Sequence, residues 1–264
     1  PLLLLKVSHN QPIYHLQNLV IGPGKEGHSE NAHYEFIHEY RTKNIHDLDY
    51  TEYLKLHIYT PERNEEIEKL LKFERNSIQV EMLIYLKFWE ADLIIKKLYQ
   101  FTRAIHGEPY DWHFKIKESN RDSTVTGSRQ EIIRLKIRDR LKEHSLPLHD
   151  HLKMCYNTQT RNSIAHSKYS FIGRNIHPNN YIKSDPSHQL RCLTFDQWVD
   201  MFNGTLVLYN EYIRLKGRVN DFYAAIASKY NNRMEILITD SEGKQKPILV
   251  EYDSHWNKWR FATS

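Results

Sequence analysis

The sequence predicts a mainly α fold, an antiparallel helical bundle with small β elements at its N- and C-terminal ends. Three observations predict it. Apolar residues recur at helical spacing over most of residues 61–216, capping and stop signals bound those stretches, and strand-like runs are confined to the two ends. The predicted organisation is therefore an N-terminal β or irregular extension over 1–60, the bundle over 61–216, and a C-terminal helix and β-hairpin extension over 217–264.

Within the first sixty residues, Leu2–Val7 and Tyr14–Ile21 carry strand-like content, Gly22-Pro23-Gly24 is a break, and Tyr34–Tyr40 and Tyr53–Tyr59 are further strand candidates. Thr60-Pro61-Glu62 opens a helix. Thr60 is a capping residue, and Pro61 suits the first helical position, where its missing N–H costs nothing. Helical character continues to Ile105, with a break near Asn76-Ser77 and a stop at Gly107. Ile78, Met82, Tyr85, Trp89 and Leu93 lie at helical spacing, and apolar residues cover most of the circumference, which is the pattern of a central core helix.

Glu108–Ser128 is polar and reads as a long loop. Arg129–Glu143 is helical again, with Ile133, Ile137 and Leu141 as an i, i+4, i+8 stripe. A third helix is predicted from about Leu148 to Lys168, followed by a loop over Gly173–His188. Thr194-Phe195-Asp196-Gln197 is a capping box, and the helix behind it places Phe195, Trp198, Phe202, Leu206, Tyr209 and Ile213 on one face. A short helix with Val219, Phe222, Ile226 and Tyr230 follows. Met234–Thr239 and Pro247–Tyr252 flank Asp240-Ser241-Glu242-Gly243 as a hairpin, and Trp256–Phe261 supplies a third strand.

Composition narrows the function classes. Thirty-seven Lys and Arg against 33 Asp and Glu give a net charge of +4, too mild to mark a nucleic-acid binder by itself. Two cysteines, Cys155 and Cys192, make neither a disulfide framework nor a CxxC zinc site, so a reducing, cytoplasmic setting is expected. Leu2–Leu5 lacks the flanks of a signal peptide, and the most apolar stretch, 80–95, is interrupted by Glu81, Lys87, Glu90 and Asp92, so no membrane segment is expected. Neither a P-loop, a GxGxxG loop, nor a GxSxG elbow is present, and no cofactor is predicted. His144, His149 and His151 cluster around Pro147, but without a recognised ligand spacing no metal is assigned to them.

One segment carries chemistry: Arg161-Asn162-Ser163-Ile164-Ala165-His166. Its spacing alone is not specific. Sixteen Arg and sixteen His in 264 positions give about one Arg-x4-His by chance, Arg41 to His46 repeats the spacing, and Arg138 to His144 has one residue more. The Asn-Ser-Ile-Ala filling and the position late in a helix single out Arg161 and His166. With those features the segment resembles the Arg-x4-6-His motif of the HEPN family, over the helical order of residues 61–216. The resemblance implies a helical bundle, a two-fold dimer, and often a metal-independent ribonuclease that acts as a toxin or in antiviral defence, with an antitoxin or other regulatory partner. Carried onto these residues, it implies that Arg161 stabilises phosphate, His166 transfers protons and Asn162 orients.

Elementary chemistry is compatible with those roles. Histidine titrates near neutrality and serves as base or acid, while arginine stays charged and binds phosphate oxygens in bidentate fashion. Five residues advance about 500° on an α-helix, so Arg161 and His166 are about 140° apart, whereas Asn162 and His166 share a face. Lys168 and Tyr169 are candidates to bind phosphate and stack a base, with helix-end solubility and packing as the alternative. Residues 115–142 carry a local excess of basic side chains that either steers RNA or forms a solvated face. Glu90 and Asp92 are candidates to support the site from another helix, or else reach solvent and pair with Lys96. Two further readings stay open: a non-catalytic module of the same fold that binds nucleotide, RNA or a partner protein, and an unrelated helical protein.

Overall fold

The computed structural model describes residues 55–119, 121–182, 184, 189–240 and 242–262. The strands predicted over Leu2–Val7, Tyr14–Ile21 and Tyr34–Tyr40, and the Arg41–His46 spacing, lie outside the described residues; the strand predicted over Tyr53–Tyr59 does not form over 55–59, where the chain turns and the Ile58 N–H donates to the Lys55 carbonyl at 3.3 Å. The described residues are mainly helical, with two small antiparallel three-stranded sheets among them. The chain divides into two compact units. One is built on 55–90 and 153–205, the other on Ala91–Leu152 and residues 206–262.

In the first unit, Pro61–Arg63 forms a 3-10 turn and α1 runs over Asn64–Glu90. Thr60 is extended, but its side chain makes no cap bond. The expected break near Asn76-Ser77 does not occur. The helix ends instead at Ala91, whose ψ of 107° leaves the helical region, and α2 (Asp92–Ile105) starts beyond it. Leu93 therefore belongs to α2 rather than to the α1 stripe. Ile67, Leu71, Ile78, Met82, Tyr85 and Trp89 follow the i+3/i+4 rhythm and are buried.

The helix predicted over 148–168 is two helices, α4 (Pro147–Cys155) and α5 (Thr158–Ala165). Asn157 separates them because its side chain competes with the helical backbone. It is extended, and its Oδ1 accepts from the Thr160 N–H at 2.9 Å as an N-cap. The loop expected over 173–188 contains part of a sheet that the sequence reading missed: β1 (Tyr169–Ile172), β2 (Asn175–Pro178) and β3 (Leu193–Thr194), in the order β1-β2-β3. The tight turn between β1 and β2 uses Gly173 at φ +54°, a conformation costly for any residue with a Cβ. Arg174 fixes the hairpin through Glu74, with Nη2 to Oε1 at 3.0 Å and Nε to Oε2 at 3.1 Å, and through Asp196 at 3.2 Å.

The core of this unit is aromatic. Tyr85 meets Trp198 edge-on at 5.4 Å, and Trp89 packs on Tyr156 at 4.9 Å. Three of the polar tips are satisfied. The Tyr85 hydroxyl donates to the Cys155 carbonyl at 3.0 Å, Trp89 Nε1 to Thr205 Oγ1 at 3.4 Å, and Trp198 Nε1 to the Glu81 carboxylate at 2.7 Å.

Helix α6 (Phe195–Ala227) begins in this unit and ends in the other. Its start is the predicted capping box: Gln197 N–H donates to Thr194 Oγ1 at 3.1 Å, and Thr194 N–H to Gln197 Oε1 at 3.0 Å. The short helix expected separately around Val219 and Phe222 is the continuation of α6, and only Ser228–Tyr230 forms a further 3-10 turn.

In the second unit, residues 129–142 form helix α3, started by a capping box between Ser128 and Glu131 that the sequence reading overlooked. Its centre, Ile132–Asp139, is wound as a π-helix, and the predicted stripe Ile133, Ile137 and Leu141 is buried. Arg129 pairs with Asp92 at the start of α2. Near the other end, Arg140 grips Glu108 with two bonds of 2.6 and 3.1 Å, and Arg103 adds a third contact at 2.9 Å. The hydrogen bonds from Arg140 first, and then the two guanidinium charges, hold the Glu108 carboxyl below its ordinary value.

The C-terminal strands form the second sheet, β4 (Arg233–Thr239), β5 (Gln245–Asp253) and β6 (Lys258–Phe261). Ile236, Val250 and Trp259 pack on Tyr223 and Ala227 of α6. On one sheet position Arg233, Glu251 and Arg260 lie side by side across all three strands.

Replacing Trp198 by Phe keeps most of the ring but removes the indole N–H that donates to the buried Glu81 carboxylate. The expected outcome is a loss of about 2–4 kcal/mol, read by urea unfolding with an unchanged m-value.

Candidate functional site

The Arg161–His166 segment occupies α5 and its exit. Ser163 and Ile164 are buried, and Ser163 Oγ donates to the Thr160 carbonyl at 2.8 Å. These two face inward and set the roll of the short helix, so Arg161 and Asn162 emerge half-buried at its flank.

Arg161 points back toward α1. Its Nη1 donates to Glu90 Oε1 at 2.7 Å, and its side chain is only 14% exposed. Glu90, which the sequence offered as a support residue, is thus brought to the motif. Asp92, offered with it, lies in the other unit and pairs with Arg129. Arg161 Nε is buried with no hydrogen-bond partner among the described residues, and so are the Tyr156 hydroxyl and Thr160 Oγ1 just before it. Sequence reasoning did not single out Tyr156 or Thr160. The only signal was their position one turn and one residue before the Arg.

His166 is the C-cap of α5, with φ −104° and ψ 11°, and it is exposed. Its backbone N–H still reaches the Asn162 carbonyl at 3.1 Å, so the i, i+4 relation expected of Asn162 and His166 persists in the main chain. No hydrogen bond or ion pair joins the Arg161 and His166 side chains. The helix stops because Ser167 takes φ +52°. The Lys168 N–H donates to the Ser163 carbonyl at 2.7 Å and the Ser167 N–H to the Ile164 carbonyl at 3.1 Å, which together make a Schellman motif with serine where glycine is usual. His166 is therefore presented by a hydrogen-bonded helix end rather than by a loose loop.

Lys168 is exposed, while its main chain is fixed on both sides, the carbonyl accepting from Asn179 N–H at 2.7 Å. Tyr169 begins β1, half-buried, with its ring edge-on to Phe171 at 5.6 Å. Neither residue continues the helix, contrary to the span predicted to Lys168.

Cys155, one residue before Tyr156, is no nucleophile. Burial pushes its thiol up to about 12, so it is protonated at neutral pH. Burial likewise pushes the Tyr85 hydroxyl well above its ordinary value, against the opposing bond from the Asn157 backbone and the charge of Arg161.

Residues expected elsewhere do not assemble a second chemical centre. His149 pairs with Asp150 at 2.9 Å and His144 meets His106, and among the described residues no group of three or more His, Cys, Asp or Glu is arranged to hold a metal ion. Five of the nine basic residues over 115–142 are paired with acids: Lys115 with Asp122, Arg129 with Asp92, Lys136 with Glu131, Arg138 with Asp139 and Arg140 with Glu108. Those pairs reduce the charge available to a polyanion. No helix among the described residues is long and apolar enough to cross a membrane.

No family model, curated protein or solved structure matches this chain.

The left-handed Ser167 backbone provides a test of the helix end. Ser167→Gly relieves the Cβ penalty while keeping both capping bonds, and the gain is partly offset by the freer unfolded chain. The expected outcome is a stabilisation of about 0.5–1 kcal/mol by thermal unfolding, with Ser167→Val shifting stability the other way.

Proposed function

We propose that this chain is a metal-independent endoribonuclease of the HEPN type that acts as a homodimer, in a toxin or antiviral-defence setting. The reading also takes the helices of residues 61–216 as a HEPN-like antiparallel bundle. The observation that carries it is the pairing of chemistries on one short helix. Arg161, mostly buried, is held by Glu90 at 2.7 Å, and His166 stands exposed at a hydrogen-bonded helix terminus one turn further on.

In this mechanism an imidazole removes the proton from the ribose 2′-OH. The 2′-oxygen attacks phosphorus, the bond from phosphorus to the 5′-oxygen breaks, and a second imidazole protonates the departing 5′-oxygen. The products are a 2′,3′-cyclic phosphate and a 5′-hydroxyl. One His166 serves as base and the copy from the second subunit as acid, so the dimer supplies both proton positions. The Arg161 guanidinium stabilises the charge that grows on the phosphorane oxygens. Glu90 is a positioning residue that fixes the guanidinium through Nη1, while Asn162 lines the same helix face as His166 and orients the imidazole or the substrate. Lys168 and Tyr169, directly after the cap, are offered to phosphate and base.

A second reading draws on the same ion pair. Because Glu90 engages the Arg161 guanidinium, a non-catalytic module of this fold that binds nucleotide, RNA or a partner protein accounts for the arrangement without cleavage.

The test is RNA cleavage in excess EDTA. Wild type is expected to cut and leave cyclic phosphate ends, and His166→Ala and Arg161→Ala to fall by at least about 100-fold with unchanged folding. Full activity in His166→Ala, or no cleavage by wild type without metal, rejects this mechanism.

A further inference from the structure

Outside the motif, two histidines meet at the C-terminal ends of two neighbouring helices in the second unit. His106 is the C-cap of α2, and its ring is 10% exposed. His144 follows α3. His106 Nδ1 and His144 Nε2 are 3.2 Å apart, and the rings meet edge to face with centroids 4.4 Å apart. His106 Nε2 is buried with no hydrogen-bond partner among the described residues.

The charged groups that face the pair come from three segments. Arg140 projects from α3, Glu143 from the turn after it with Oε2 3.8 Å from His106 Nδ1, and Glu108 from the segment after α2, itself held by Arg140 and Arg103.

A contact of 3.2 Å between two ring nitrogens is attractive only when one bears a proton and the other a lone pair. The neutral pair satisfies that condition. Two imidazolium rings do not: two N–H groups then confront each other across the same gap, and Arg140 adds a third positive charge nearby. Glu143 is the only carboxylate within ion-pair reach of His106 among the described residues, and Glu108 is already committed to two guanidinium groups.

We infer that the His106–His144 pair is an acid-released clasp, which holds the C-terminal ends of α2 and α3 together when neutral and lets them part when both rings are protonated. The sign is consistent. Burial first, then Arg140 and His144, hold His106 below its ordinary value against the pull of Glu143 and of the Arg140 backbone. A histidine depressed in the fold contributes stability above its unfolded value of about 6.5, and that contribution is lost as the pH falls below it. The other end of the helix pair is tied by the ion pair of Arg129 and Asp92, which contains no histidine, so the opening is confined to the clasped end.

The inference does not depend on the nuclease reading. Its test is amide hydrogen exchange of the full chain at pH 7.5 and 5.5, corrected for intrinsic rates. The reporters are the N–H groups of Gly107, Glu108, His144 and Ser145, which bond to Ala104, Arg103, Leu141 and Lys142. Wild type is expected to lose about tenfold of its protection at these four amides on acidification. His144→Phe retains an edge-to-face ring without a ring nitrogen, and His144→Gln retains a polar partner that stays uncharged; because His106 stays buried in both, both are expected to show a clearly smaller loss. Unchanged protection in wild type, or an equal loss in whichever of the two variants folds, overturns the clasp.

Discussion

The first unit depends on the need of three large aromatic side chains to keep a polar tip satisfied while their rings are buried. Tyr85, Trp89 and Trp198 are each under 2% exposed, and each has one group that demands a partner. The partners fall on different segments. Tyr85 reaches the last residue of α4, Trp89 reaches Thr205 of α6, and Trp198 reaches back to Glu81 of α1. Apolar contact specifies register less sharply than a buried polar bond, because each dispersion contact is weak and roughly volume-conserving repackings are tolerated. A buried N–H that lacks its acceptor costs about 1–3 kcal/mol, so these three bonds select one register among many of similar area. The candidate site inherits that precision. Cys155, whose carbonyl anchors Tyr85, ends α4 two residues before the Asn157 cap that starts α5.

Much of this was legible in the sequence because it follows local rules. The capping box at Thr194 and Gln197 formed as read, the Ile133–Ile137–Leu141 stripe is buried, and the C-terminal strands lie where turn residues bracket β-branched runs. What escaped was set by tertiary context. Nothing in Asn76-Ser77 breaks a helix once Ile78, Met82 and Tyr85 are pulled into a core, and propensity yields to burial there. The true interruptions, at Ala91 and at Asn157, sit in stretches whose composition is helical or neutral. The β1–β2 hairpin escaped because its strands are four residues each, too short for a period-2 pattern to emerge.

At the candidate site the residue types were legible and the partners were not. Spacing placed Arg161 and His166 on different faces, and the structure agrees that they do not bond to each other. Glu90 is 71 positions away in the chain, so its approach to Arg161 is a property of the fold. Equally invisible was the serine in a left-handed conformation beside His166. Serine carries no strong signal for that region, and only the pair of bonds back to Ser163 and Ile164 reveals why it is there.

The π-wound stretch of α3 has a consequence for how this protein tolerates change. Main-chain bonds that skip five positions instead of four pack one surplus position into each hydrogen-bonded loop of the coil, and such winding is rare. Here both ends are moored, by the Ser128–Glu131 cap at the start and by Glu108 near the finish. Shortening the exposed side of this coil by one residue therefore need not drag its moorings, since the wider loops can tighten to ordinary ones between fixed ends. Length variation, which elsewhere in a helix rotates everything downstream, is absorbed at this place as a change of girth.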